Sequence, residues 1–152
     1  MLAPGTPAPL FHAKDQNGNK VGLQDFQGRK VALYFYPKDD TPGCTAQACN
    51  LRDNTSALAD AGITILGVSS DDETSHKQFE EKYSLPFTLV ADPDAEICRA
   101  YDVWGENVWQ GKTYMWASRV TYLINEQGVI TGVIDRVDTG DHTQQVIAGF
   151  NA

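Results

Sequence analysis

Thr41, Cys44 and Cys49 lie within nine residues of one another and are the first side chains in this sequence with chemistry to offer. An apolar run from Val31 to Tyr36 stops at Pro37, a polar loop follows, and Thr41-Pro42-Gly43-Cys44 opens a helix. Thr41 suits the N-cap, Pro42 the first helical position, where its missing N–H costs nothing, and Cys44 then falls at the third. Backbone N–H groups there lack intrahelical partners, and the helix dipole favours negative charge. A cysteine so placed, at the exposed end of the core-facing stripe, should present a thiolate near neutral pH, and the thiolate is the nucleophile. Gly43 leaves room beside the sulfur for a small substrate. The bland alternative makes Thr-Pro a good helix start and Cys44 a packed small hydrophobe. An inert cysteine, however, needs neither a helix N-terminus nor an adjacent glycine. The reading is a reactive cysteine.

Cys49 follows five residues later. In an intact helix that separation gives a rise of about 7.5 Å, a rotation of about 140° and a Cα–Cα distance of about 8–9 Å. A disulfide needs less than about 7 Å. If the two cysteines pair, the first turns of the helix must unwind; otherwise Cys49 is a packed residue. The spacing is not the Cys-x-x-Cys of a thioredoxin-type reductant. Three scattered histidines (His12, His76, His142) and no second cysteine pair argue against a metal site.

The elements that must position these residues follow from pattern. Asn17-Gly18-Asn19 marks an N-terminal β-hairpin. Lys30–Tyr36 reads as a central strand covered on both faces. A helix over 42–61 places Cys44, Ala48, Leu51, Thr55 and Leu58 on one side. Ile63–Ser69 is the next strand, and Ser70 with Glu73 forms a capping box leading a helix to about Tyr83. A short strand over 87–90 and a short helix over 95–101 come next. The segment 103–118, rich in aromatics, reads as irregular. Residues 119–125 and 129–135 form an antiparallel pair, and 141–150 a closing helix. The whole, 1–152, reads as one three-layer α/β domain with a central mixed β-sheet.

Composition bounds the rest. A net charge of 12 − 20 = −8 with no basic patch argues against nucleic acid or an anionic membrane surface. The N-terminus has no signal-peptide pattern, and no apolar stretch approaches a membrane span. Three cysteines do not make a secreted disulfide framework, so a cytoplasmic location with reduced thiols is expected.

Pro37-x-x-x-Thr41-x-x-Cys44 resembles the active-site signature of peroxiredoxins. The fuller run YFYPKDDTPGCTAQAC from Tyr34 to Cys49 is similar to the bacterioferritin-comigratory (Q-type) subfamily, as are Asp102–Glu106, Gly111-Lys112 and Arg119-x-Thr121-Tyr122-Leu123-Ile124. The resemblance runs from about Pro7 to the C-terminus. It implies a thioredoxin-like fold and hydroperoxide reduction without a cofactor, metal, haem or flavin. By position it implies that Cys44 is the peroxidatic cysteine and becomes a sulfenic acid, and that Cys49 is the resolving cysteine. It implies further that Arg119 stabilises the thiolate and orients the peroxide, that Thr41 hydrogen-bonds the substrate, that Pro37 shields the pocket and that Gln47 supports it. A thioredoxin-type dithiol would be the reductant, and the subfamily leans towards monomers. Read locally, Arg119 would be a surface ion-pair residue. Cys98 is either a packed residue or a competing resolver.

The sequence departs from the pattern at Met115-Trp116, where smaller residues are expected, and at Tyr122, where phenylalanine is usual. With Trp104 and Trp109 these form either an aromatic collar near the pocket or, the better reading, filling under a long loop. Two functional alternatives stand beside the peroxidase: a general thiol–disulfide oxidoreductase, and a peroxide-oxidised sensor or holdase chaperone.

Overall fold

The computed structural model describes residues 1–152, and its centre is the strand that the apolar run predicts. In chain order the elements begin with β1 (His12–Asp15) and β2 (Lys20–Gly22), the N-terminal hairpin, whose turn is fastened by Asp15 Oδ1 accepting from the Asn17 and Asn19 amides. Then come β3 (Lys30–Phe35), α1 (Pro42–Asp53), α2 (Thr55–Asp60), β4 (Ile63–Ser69), α3 (Glu73–Tyr83), β5 (Thr88–Ala91) and α4 (Glu96–Ala100). The chain continues through β6 (Trp104–Trp109), β7 (Lys112–Ala117), β8 (Val120–Ile124), β9 (Ile130–Ile134) and α5 (His142–Phe150).

Seven strands make one mixed sheet in the order β2-β1-β5-β4-β3-β8-β9, and β6–β7 stand apart as a ribbon. β3, β4 and β5 are parallel, while β8 runs antiparallel to β3 with Val120 opposite Phe35. The alternation of β3 divides the core in two. Val31, Leu33 and Phe35 face a cluster with Ile97, Cys98 and Tyr101 of α4. Ala32, Tyr34 and Tyr36 face a cluster with Cys44, Ala48 and Leu51 of α1, Phe79 of α3 and Val146 of α5. Each such fully buried large side chain contributes about 1.5–3 kcal/mol relative to exposure. Helices on one face, the sheet, and α4 with the N-terminal segment on the other make the expected three layers.

Four local expectations are corrected. The helix over 42–61 breaks at Asn54, whose Nδ2 donates to the Asn50 carbonyl while the Thr55 hydroxyl donates to that of Arg52. Side chains that compete for helical carbonyls interrupt the ladder, and Thr55 leaves the buried stripe. The helix α3 is capped by Asp72, which accepts from the Ser75 amide at 2.8 Å, not by Ser70. The segment 103–118 is not irregular but the β6–β7 hairpin, closed by Gln110-Gly111 with φ of 51° and 76°. That pair of positive φ values is a type I′ turn, with Gly111 at a position that suits it. Trp104 packs against the core, whereas the other aromatics do not fill space under a loop: Tyr114 stacks on Trp116 at 4.4 Å, and Trp109 packs on both, on one face of the ribbon. No helix is long and apolar enough to cross a membrane.

Candidate active site

Thr41 caps α1 with extended backbone (φ −97°, ψ 157°), Pro42 takes the first helical position, and Cys44 the third, as the spacing predicts. The first helical bond runs from the Thr45 N–H to the Thr41 carbonyl at 2.8 Å, so the Gly43 and Cys44 amides precede the ladder. The Thr41 hydroxyl does not cap. It donates to the Lys38 carbonyl at 2.8 Å, which folds the loop after Pro37 back on itself and leaves the hydroxyl oxygen free to accept. Pro37 is half-buried at the end of β3.

Cys44 is only 1% exposed, which corrects the expectation of an open thiol. The first turn of α1 lies against the sheet and turns the side chain in among Tyr34, Ala48 and Leu51. Arg119 reaches it from the residue before β8, which the β3–β8 register sets beside the end of β3. Arg119 Nη2 donates to Cys44 Sγ at 3.3 Å and Nη1 to Gln47 Oε1 at 2.8 Å. Arg119 is thus no surface ion-pair residue; it spans sulfur and amide. Gln47, fully buried, holds the guanidinium with a neutral acceptor, so the positive charge is left to the sulfur.

Gly43 acquires a different reason from the one its sequence suggests. A Cβ there would stand 3.0 Å from Arg119 Nη2. The space beside the sulfur is occupied by the guanidinium. His142, at the start of α5, accepts from the Thr121 hydroxyl through Nε2 and donates to Gln145 Oε1 through Nδ1, both at 2.8 Å. Burial first, with the charge of Arg119 adding to it, holds this imidazole below its ordinary range. Two buried polar atoms nearby, the Tyr34 hydroxyl and Gln47 Nε2, have no hydrogen-bond partner in the protein.

Cys49 is half-buried in the second turn, and all three thiols are free. Cys98 is fully buried in α4 on the other face of the sheet, against Asp92. Burial, then the Asp92 bond and charge, push its thiol far above the ordinary value.

Sequence reasoning missed a second polar cluster behind the loop. Asp39 accepts from the Tyr36 hydroxyl at 2.5 Å, the Ser75 hydroxyl at 2.8 Å and His76 Nδ1 at 2.7 Å. The three histidines are scattered in sequence, yet His76 meets Asp39 and Asp71 with ligand-type atoms within 4.8 Å of one another. Donors within the protein already occupy both oxygens of Asp39 and Oδ2 of Asp71. The signal was available: His76 and Phe79 sit three apart on the buried face of α3, and Asp39 follows Pro37 by two.

The family model described as AhpC/TSA matches residues 4–133, a span that holds Thr41, Cys44, Cys49 and Arg119. The chain belongs to the AhpC/TSA family. Among its peroxiredoxin relatives, Peroxiredoxin Bcp of Escherichia coli K12 is 46% identical over 146 residues, 96% of this chain and 94% of that one. A putative peroxiredoxin bcp of Coxiella burnetii is 45% identical over 143 residues, 94% and 95% of the two chains. The structure is similar to that of the bacterioferritin comigratory protein of Xanthomonas campestris, a protein studied for alkyl peroxide reduction. The TM-score is 0.84 at 33% identity, covering 93% of this chain and 90% of that one. This AhpC/TSA member has the thioredoxin-like peroxiredoxin fold and is a thiol-dependent peroxidase of the Bcp type.

Proposed function

We propose that Cys44 is the peroxide-reactive thiolate of this peroxiredoxin and that Cys49 resolves it. The observation that carries the reading is Arg119 Nη2 at 3.3 Å from Cys44 Sγ, at a helix start with unladdered amides. A fixed cation and two N–H groups stabilise negative charge on sulfur and on the oxygens of the breaking peroxide bond. The sulfur bonds to the terminal oxygen, the O–O bond breaks, and the hydroperoxide proton ends on the alcohol or water product. Cys44 is left as the sulfenate. Thr41, whose hydroxyl donates to the Lys38 carbonyl, supplies an acceptor for the O–H of the arriving peroxide. Gly43 admits the guanidinium, and Pro37 closes the loop side. A hydroperoxide offers few contacts, so rate comes from donors already in place.

Resolution needs movement. With α1 regular from Pro42 to Asp53, Cys44 and Cys49 stand about 8–9 Å apart at Cα. The first turns unwind, the Cys49 thiol attacks the protonated sulfenic acid, water leaves, and a disulfide forms. A thioredoxin-type dithiol then returns both cysteines to thiols, with its own pair oxidised. Cys98, buried on the opposite face with a thiol resistant to ionisation, takes no part.

A peptide map of the reduced protein, quenched seconds after one equivalent of hydrogen peroxide, tests this. A Cys44–Cys49 linked peptide is the expected result, and a Cys44–Cys98 or intermolecular link would overturn the resolver. Cys49→Ser should keep the first oxidation within about twofold and lose thioredoxin-linked recycling; full recycling in that variant is incompatible with the proposal.

A further inference from the structure

We propose that His76 is a positioning residue for the oxidation of Cys44: paired with Asp39, it clamps the segment Pro37–Thr41 against α3, so that Thr41 and Cys44 keep the arrangement that receives a peroxide. The proposal rests on the reading of Cys44 as the peroxide-reactive thiolate.

The segment between β3 and α1 has no regular structure of its own, yet it carries Pro37 and the Thr41 cap. It is held from behind. Asp39, 7% exposed, accepts from Tyr36, the residue after β3, and from Ser75 and His76 on α3, while its own amide donates to Asp71 Oδ2 at 2.9 Å. Asp40, in the left-handed region at φ 57°, is held by Lys82 Nζ and the Tyr83 hydroxyl at 2.7 Å each. Two successive loop residues are thus fastened to the two ends of one helix.

His76 is fully buried, and its hydrogen bonds fix its proton state. Nε2 stands 2.9 Å from the Val90 carbonyl, which can only accept, and Nδ1 stands 2.7 Å from a carboxylate oxygen. Both nitrogens donate, so the pair is imidazolium and carboxylate. The groups facing it are Asp39 from the loop, Asp71 from the β4–α3 connection, the hydroxyl of Tyr36 just after β3 and the Val90 carbonyl from β5. Burial, the largest single influence, disfavours the charged ring. The bond and charge of Asp39, with Val90 and Asp71, outweigh it and hold His76 above its ordinary value. A histidine raised in this way lends its full support below the ordinary imidazole value and loses it as pH rises through the raised one. The clamp is therefore tightest below the ordinary imidazole value and slackens as pH rises through the raised one.

Oxidation requires the wound α1, whereas the disulfide requires it unwound, so the clamp serves one half of the cycle. The test measures two rates in the native protein, His76→Leu, His76→Asn and Asp39→Asn: first-turnover oxidation of Cys44 by hydrogen peroxide, and reduction of the oxidised protein by dithiothreitol. Small displacements of a reacting group cost up to about a hundredfold. His76→Leu should slow oxidation by about tenfold to a hundredfold and change reduction by less than about twofold. His76→Asn, which keeps a donor towards Asp39, should recover part of the loss and lack the native decline as pH rises through the raised imidazole value. Asp39→Asn combined with His76→Leu should be no slower than the worse single variant, because both break one pair. Oxidation within about twofold of native in folded His76→Leu, or effects that multiply in the double variant, would overturn the clamp. Should His76→Leu fail to fold, Asp39→Asn, which keeps the side-chain shape, carries the test by the same thresholds. A native Cys44 untouched by peroxide would instead overturn the reading on which the clamp rests.

Discussion

Cys44 and Cys98 occupy the same place in two helices. Each is the third residue of its helix, α1 and α4, and each is buried, at 1% and 0% exposure. They differ in the charge that meets the helix start. At α4 the amides of Ile97 and Cys98 donate to the Asp92 carboxylate at 3.1 and 2.9 Å. The anion that a helix N-terminus attracts is already there, and a second one on Cys98 is opposed by burial and by Asp92. At α1 no carboxylate takes that place. Arg119 comes in from the residue before β8, and its guanidinium donates to the sulfur of Cys44 at 3.3 Å. Burial and helix position are common to both thiols; the sign of the neighbouring charge is what separates them, and the proposed reactivity of Cys44 rests on that difference.

The widest separation between the two cysteines should appear on replacing each by serine. Cys44→Ser should remove peroxide turnover altogether, while Cys98→Ser should retain it within about twofold. Consumption of hydrogen peroxide in a thioredoxin-coupled assay measures both. Loss of turnover in a folded Cys98→Ser protein would erase the contrast. Removing the cation comes next. Arg119→Met should slow first-turnover oxidation by about 10²–10³-fold, the range for loss of a donor aimed at developing charge. Arg119→Lys should fall between, since an ammonium keeps the charge but cannot bridge Cys44 and Gln47 as a planar fork does. If Arg119→Met oxidises at the native rate in rapid-mixing measurements, the neighbour's sign is not what separates the two sites.

What was legible in the sequence divides along chain distance. The central strand, the hairpin at Asn17-Gly18 and the order Thr41-Pro42-Gly43-Cys44 are local, and pattern found them. Arg119 lies 75 residues from Cys44, and spacing alone favoured an exposed ion pair. Only the family resemblance placed it at the sulfur, where the β3–β8 register brings it. His76 and Asp39 are 37 residues apart, and their pairing depends on α3 packing behind a loop. The break at Asn54 and the cap at Asp72 were missed for another reason: Asn, Thr, Ser and Asp compete for backbone groups several ways, and tertiary contacts choose among them. The β6–β7 ribbon was hidden because Gln110-Gly111 is a weaker hairpin signal than Asn-Gly, although the flanking aromatics have high strand propensity.

The smallest expected effect bears on the comparison most finely. The residue before the cysteine is Gly43 in α1 and Ile97 in α4. A side chain is tolerated at α4 because the group that approaches its start is the slim carboxylate of Asp92. At α1 a Cβ on residue 43 would stand 3.0 Å from Nη2 and 3.6 Å from Cζ of Arg119. The guanidinium is the end of a flexible side chain, so it can yield by a few tenths of an ångström. Gln47 holds its other nitrogen at 2.8 Å, however, and resists the shift. Meanwhile alanine is favoured over glycine within a helix by about 0.5–1 kcal/mol. Gly43→Ala should therefore make the protein equally or slightly more stable to urea, yet slow Cys44 oxidation by roughly two- to fivefold. That opposition of sign is the informative part, since general damage to α1 would lower both. Higher stability with an unchanged oxidation rate would mean that the guanidinium needs only to be near the sulfur, and that its 3.3 Å approach is not what the glycine is for.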